Sequence, residues 1–129
     1  MEVIQNLYAA FDRNDGASIL ALLGPNLDWN EAENFTLSDR NPYQTPEAVA
    51  EGVFGRLATM LNGYKVKIPE LFDAGETIIA VGRMQGTVVK TGKFFDAQFA
   101  HVWRVKGEKI VGFQQYCDTL GIAKAMGEV

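Results

Sequence analysis

The sequence predicts an α+β fold: a cone-shaped, curved, mostly antiparallel sheet wrapped around helices. Three features carry that expectation. Apolar residues recur at helical spacing as far as Leu61. From Tyr64 onward the chain is nearly all strand-like, broken by short turns built on glycine. No internal repeat, linker or low-complexity segment interrupts it, so residues 1–129 read as one domain. Helices set apart from a mostly antiparallel sheet define the α+β class.

Residues 2–13 read as an amphipathic helix with Ile4, Leu7, Tyr8 and Phe11 on one face. Asn14-Asp15-Gly16 breaks it, and Asp15 caps a second short helix whose apolar side is Ile19, Leu20, Leu22 and Leu23. Gly24-Pro25 stops that helix. Residues 27–33 read as a short strand with Trp29, Glu31 and Glu33 on one face, and residues 34–44 as a polar loop over a pocket mouth. Thr45-Pro46-Glu47 is a helix start: Thr caps, Pro sits at the first helical position and Glu favours the positive end. Val49, Val53, Leu57 and Leu61 then recur every fourth residue until Asn62-Gly63.

Residues 64–72 form one predicted strand, in which Pro69 marks an edge or a bulge. Residues 77–89 form the next. With Thr91-Gly92 at the turn centre, Gly82 falls opposite His101, Met84 opposite Phe99 and Gly86 opposite Ala97. These glycines either leave a hollow beside His101 or let the sheet bend sharply.

Residues 94–119 read as a long hairpin turning at Gly107-Glu108, with Gly first as in a type II′ turn. A two-residue turn pairs Val105 with Ile110, Trp103 with Gly112, His101 with Gln114, Phe99 with Tyr116 and Ala97 with Asp118. One face then holds Phe95, Phe99, Trp103 and Tyr116, with His101, Gln114 and Asp118 among them. An apolar face with a few convergent polar groups is the pattern of a small-molecule pocket. Residues 120–126 close the chain as a short helical tail.

Composition excludes several functions. The 129 residues are 47% apolar, enough for a sizeable core, yet no apolar run approaches the ~20 residues of a membrane span. The start of the chain lacks a basic segment followed by an apolar run, so no signal peptide is expected. Net charge is −4 with no basic stripe, which argues against nucleic acid as a partner. Cys117 is the one cysteine, so no internal disulfide forms, and a reducing, cytoplasmic setting is expected. One histidine and no ligand-spaced motif predict no metal site. No G-x-S-x-G and no phosphate-binding glycine loop is present, and no cofactor is expected.

Several segments together carry a family likeness: Tyr8-Ala9-Ala10-Phe11, Asn14-Asp15, Trp29-Asn30-Glu31-Ala32-Glu33, Pro46-Glu47-Ala48-Val49, the run from Phe99 to Val105, Lys109-Ile110-Val111, and Tyr116-Cys117-Asp118-Thr119. On these the whole chain resembles the nuclear transport factor 2-like superfamily, and within it the SnoaL-like polyketide cyclase and ketosteroid isomerase-like branch. The resemblance implies a conical pocket and a homodimer formed through the outer sheet face. It also implies that Glu31 takes the place of a proton-abstracting carboxylate, and His101 that of a pocket acid bonding the enolate oxygen. The first-helix tyrosine of such isomerases aligns with Leu7. That departure, with His101 in place of a carboxylic acid, argues against steroid isomerisation. Asp118 with His101 is similar to the acid/base pair of the cyclases.

The expected function is therefore a cofactor-independent enzyme acting by proton transfer on an apolar carbonyl compound: an isomerase, aldol-type cyclase or lyase. Glu31 beside the Trp29 indole, away from water, gains a raised pKa and can serve as base. Asp118 is the alternative acid/base, unless it caps the tail helix. His101 donates a hydrogen bond or carries a proton near neutral pH. Trp29, Phe54, Phe99 and Trp103 supply apolar wall, and Glu33, Gln114 and Tyr116 add polar contacts to the ligand. The alternative is a non-catalytic ligand-binding or dimeric accessory module of the same fold. Epoxide hydrolysis ranks below both, because Arg83 and Arg104 fall on the opposite face.

Overall fold

Three of the helices start at a side chain that accepts an unpaired backbone N–H. In the computed structural model, which describes residues 1–129, α1 spans Glu2–Asp12 and buries Ile4, Leu7 and Ala10. Asp15 accepts from the Ser18 N–H at 3.1 Å and opens α2, Gly16–Ala21. Thr45 accepts from the Ala48 N–H at 3.0 Å and opens α3, Pro46–Val49.

The third predicted helix is interrupted. Beyond α3 the turn widens into a π segment, Ala50–Gly55, before α4, Arg56–Met60. Val49, Val53 and Leu57 stay buried as their spacing requires. Tyr43 lies so close that a Cβ on Gly52 would sit 2.5 Å from its ring. The Arg56 Nε–H donates to the Gly52 carbonyl at 2.6 Å, a side chain bonding the main chain of the widened turn.

Five strands form one curved, unclosed sheet: β1 (Leu23–Asn30), β2 (Leu61–Ala74), β3 (Thr77–Val88), β4 (Phe94–Lys106) and β5 (Lys109–Cys117). Their order is β1-β5-β4-β3-β2, with β1 parallel to β5 and every other pair antiparallel. The chain ends in α5, Thr119–Met126. One hydrophobic cluster runs from Ile4 and Leu7 of α1 through Trp29, Val53, Met84 and Trp103 to Ile122 of α5, so helices and concave sheet face share a core.

Four local departures from the sequence reading have physical causes. Gly24-Pro25 does not stop α2 but lies inside β1, where the pairing with β5 is irregular between Leu23 and Asp28. An edge strand tolerates a proline that cannot donate. The Gly107-Glu108 turn has φ of 56° and 65°, so both central residues are left-handed and the turn is type I′ rather than II′.

The register of β4 on β5 begins as expected, with Val105 opposite Ile110, and then slips. A bulge at Val111 puts Gly112 opposite Arg104, Phe113 opposite Trp103, Gln115 opposite His101 and Cys117 opposite Phe99. A one-residue slip exchanges the faces of the strand. Phe113 and Gln115 therefore point to the concave side, and Gln114 and Tyr116 to the outer one.

The register of β3 on β4 slips by two, which keeps the faces: Gly82 pairs with Phe99, Met84 with Ala97 and Gly86 with Phe95. No hollow results. A Cβ on Gly82 would lie 2.0 Å from the Lys67 carbonyl oxygen, so the glycine admits the backbone of β2. That approach coincides with a register shift between Lys67 and Glu70 that contains Pro69, as its type anticipated.

Candidate functional site

Glu31 directly follows β1 and keeps the face of Trp29, two residues earlier. It is 3% exposed. The Trp29 Nε1–H donates to its Oε2 at 3.0 Å. Asn41 holds its main chain from both sides, accepting from the Glu31 N–H at 2.9 Å and donating to the Glu31 carbonyl at 2.8 Å. Gln115 accepts from the next N–H, that of Ala32, at 3.2 Å. Burial raises the Glu31 carboxyl to about 7, against the lowering effects of the Trp29 bond and the Arg56 charge. A carboxyl divided between its two forms near neutrality is suited to general acid–base work. No protein group bonds its Oε1, and that atom is not sealed from solvent, since His101 Nε2 is the one fully enclosed side-chain polar atom without a partner.

Arg56, the nearby positive charge, is held in place by others. It donates to both Asp39 oxygens at 2.8 and 3.0 Å and to the Tyr43 hydroxyl at 2.7 Å. Tyr43 in turn pairs with Trp29 across a short antiparallel bridge.

His101 sits midway along β4 on the concave face. Its ring stacks on Phe99 with centroids 3.8 Å apart. The Tyr8 hydroxyl lies 2.7 Å from its Nδ1, and the Trp103 Nε1–H donates to that same hydroxyl at 2.8 Å. Its Nε2 is enclosed with no partner. Burial pulls the imidazole down to about 3, so it is neutral across the physiological range. Of its two expected roles, a neutral ring bonded through Nδ1 favours hydrogen bonding over carrying a proton near neutral pH.

Trp29, Phe54, Phe99 and Trp103 belong to a cluster of aromatic rings, and of the four only Phe54 lines the cleft beside α4. Trp29 meets Trp103 at 5.5 Å and Phe113 at 4.4 Å, and Phe54 packs edge-on to Trp29 at 6.0 Å. That cleft, of about 710 Å³, opens between the α1–α2 turn, α4 and the start of β2, within the range of small-molecule sites. Phe11, Ile19, Phe54, Leu57, Tyr64 and Val66 supply much of its lining. Glu31 and His101 do not line it. Two lining residues adjoin the surroundings of Glu31: Phe54 packs on Trp29, and the charge of Glu31 helps raise the Tyr64 hydroxyl.

Four expected site residues lie elsewhere. Gln114 pairs with Val102 on the outer face, and Tyr116 there is 58% exposed. Both were misplaced by the bulge at Val111. Asp118 accepts from the Gly121 N–H at 3.0 Å and caps α5, its structural alternative. Glu33 is exposed, because a turn at Glu33-Asn34 ends the alternation that Glu31 still follows just past β1. The Cys117 thiol, pushed up to about 12 by burial and by the Glu31 charge, is a poor nucleophile. No cluster of three His, Cys, Asp or Glu side chains is arranged to hold a metal.

The structure adds residues that sequence reasoning passed over. Tyr8, not its neighbour Leu7, brings a hydroxyl to His101; the helical spacing had placed it on the apolar face of α1, without a role. Gln115, Asn41 and Tyr64 carried no signal, because their partners are 10 or more residues away in the chain.

Residues 4–113 match the sequence model of a family described as SnoaL-like domain. No curated protein matches the chain. An NTF2-like protein from Burkholderia thailandensis E264 is 42% identical and superposes with a TM-score of 0.93, over 97% of this chain and 95% of that one. A hypothetical protein with a ketosteroid isomerase-like fold from Catenulispora acidiphila, solved with trimethylamine, is 17% identical with a TM-score of 0.80, over 98% and 92%. IdmH of Streptomyces antibioticus, a proposed polyketide cyclase, is 18% identical with a TM-score of 0.78, over 98% and 96%. The last two show a shared fold.

Proposed function

The chain belongs to the SnoaL-like domain family, and from that premise we propose that it is a cofactor-independent enzyme moving a proton on an apolar carbonyl compound. The observation that carries the reading is Glu31: a buried carboxyl held against an indole, raised to about 7, with one oxygen free. As carboxylate it takes the proton from a carbon next to the carbonyl. The C–H electron pair moves into the C–C bond, and the carbonyl pair moves onto oxygen. His101 offers Nε2 to that oxyanion. The proton then returns to another carbon, which is isomerisation, or the enolate carbon attacks a second carbonyl and the resulting alkoxide takes the proton back from Glu31, which is aldol-type cyclisation.

Reaching Nε2 requires a ligand to part the packing around it. A buried donor left unpaired costs roughly 1–3 kcal/mol, which a ligand oxygen would relieve. The test is Glu31→Gln, assayed against a panel of aromatic and alicyclic ketones, phenolic esters and polyketide-like diones. Turnover lost by 100-fold or more with folding retained supports the reading. A variant that turns over any of them at the wild-type rate ends it.

The separation of the cleft from both polar groups favours one second reading, a non-catalytic binder that uses the cleft alone. It predicts equal ligand affinity in wild type, Glu31→Gln and His101→Phe. We also assign a homodimer to the outer sheet face. There Phe72 (49% exposed) and Tyr116 (58% exposed) flank Ile79, Val81, Ala100 and Val102, an apolar stripe a second copy would cover. Sedimentation of wild type against Phe72→Lys/Tyr116→Lys tests it. The single cysteine suits the reducing cytoplasm.

A further inference from the structure

We propose that Tyr8 is a positioning residue that holds His101 in the tautomer carrying its proton on Nε2, so the site presents a hydrogen-bond donor and selects ligands that place an oxygen acceptor there. The inference rests on the reading that His101 faces the ligand.

The argument is a count of hydrogens. Trp103 Nε1–H can only donate, and it lies 2.8 Å from the Tyr8 oxygen, which therefore accepts. Tyr8 has one proton of its own. Its remaining hydrogen-bond partner is His101 Nδ1 at 2.7 Å, so Tyr8 donates to it and Nδ1 is bare. A neutral imidazole with a bare Nδ1 carries its proton on Nε2. The opposite tautomer would make Tyr8 accept twice, stranding the hydroxyl proton and also leaving Nε2 as a bare acceptor with no donor. One unmet group stands against two, and buried unmet groups are costly. The doubly protonated ring would strand both the hydroxyl proton and the Nε2–H while placing a charge in a fully buried setting.

The relay is rigid as well as directional. The Tyr8 ring lies nearly parallel to the imidazole, with 9° between planes, and Trp103 stands at 90° to it. Phe99 stacks on one ring face at 3.8 Å. A carbonyl, enolate or phenolate oxygen meets the Nε2–H; an ammonium or an amide N–H at that point sets donor against donor.

His101 is the only histidine in the chain, so a long-range ¹H–¹⁵N correlation spectrum of the labelled protein reads its two nitrogens without assignment. Wild type is expected to show a protonated Nε2 and a bare, hydrogen-bonded Nδ1, unchanged between pH 5 and 8. In Tyr8→Phe the Nδ1 resonance moves toward that of an unbonded ring nitrogen, and an Nδ1–H form appears. Trp103→Phe keeps the Tyr8 hydroxyl but frees its orientation, and the Nδ1–H form grows there also; it serves if Tyr8→Phe does not fold. A wild-type spectrum with the proton on Nδ1, or an Nδ1 resonance indifferent to both substitutions, overturns the proposal. These spectra do not depend on turnover. Glu31 can fail as the base while the tautomer holds, and the reverse.

Discussion

Trp29 and Glu31 are joined by a buried hydrogen bond, indole Nε1–H to carboxylate Oε2 at 3.0 Å, across a single intervening residue. Strand alternation puts both side chains on one face, and Asn41 fixes the main chain beyond the strand so that the second carboxylate oxygen stays free. Burial makes the carboxyl reluctant to ionise, and the indole partly offsets that.

Replacing Trp29 with Phe removes the lowering contact. The Glu31 carboxyl then rises above about 7. If Glu31 acts as carboxylate, the rising limb of log kcat/KM against pH has its midpoint near that value in wild type and at a higher pH in Trp29→Phe. A midpoint that stays fixed would separate Glu31 from catalysis.

Stability should depend on pH through two opposed groups. The Glu31 carboxyl is raised from 4.5 to about 7, so its contribution is full below 4.5 and lost as pH rises through 7. The His101 imidazole is lowered from 6.5 to about 3, so its contribution is full above 6.5 and lost as pH falls through 3. Between 4.5 and 6.5 the two slopes cancel. Glu31→Gln leaves His101 alone, and urea unfolding should then show a loss approaching ~1.4 kcal/mol per pH unit on acidification through that window. At pH 8 the same variant should exceed wild type by up to ~3 kcal/mol.

Two glycines on the same strand should respond differently to alanine. At Gly82 the added Cβ meets a backbone oxygen at 2.0 Å, so β2 must move, at a cost of about 2–3 kcal/mol or more. At Gly86 it meets the Leu61 side chain at 3.5 Å, an ordinary contact. Thermal melts should place Gly82→Ala well below Gly86→Ala, which stays within about 1 kcal/mol of wild type.

Asp118→Ala should weaken α5 by about 1 kcal/mol, the usual loss of a helix cap, and leave kcat/KM unchanged. Gln114→Ala should likewise leave turnover intact. A catalytic loss of tenfold or more in either would return these residues to the site.

Much of the molecule follows from local chemistry. Asp15 and Thr45 each have an oxygen within reach of a free N–H three residues on, and Pro69 lacks the hydrogen a sheet ladder needs. The period of Ile4, Leu7 and Ala10, and the short spacing of Trp29 and Glu31, are likewise properties of a few neighbouring residues. These interactions span at most a turn or two, so their energies can be judged from the residues alone.

The bulge at Val111 is different. It satisfies the packing of Phe113 against Trp29 and Trp103, at 4.4 and 4.3 Å, from two other strands, and no local signal specifies it. That one extra residue replaced Gln114 and Tyr116 by Phe113 and Gln115 on the inner face. Tyr8 meets His101 across 93 residues, and Ala32 meets Gln115 across 83. Such pairs form only when the core closes, because their geometry depends on how distant apolar surfaces fit together. Glu31 and His101 could be singled out as candidates from the chain itself. Their protonation and their partners follow from burial, which is a property of the closed core.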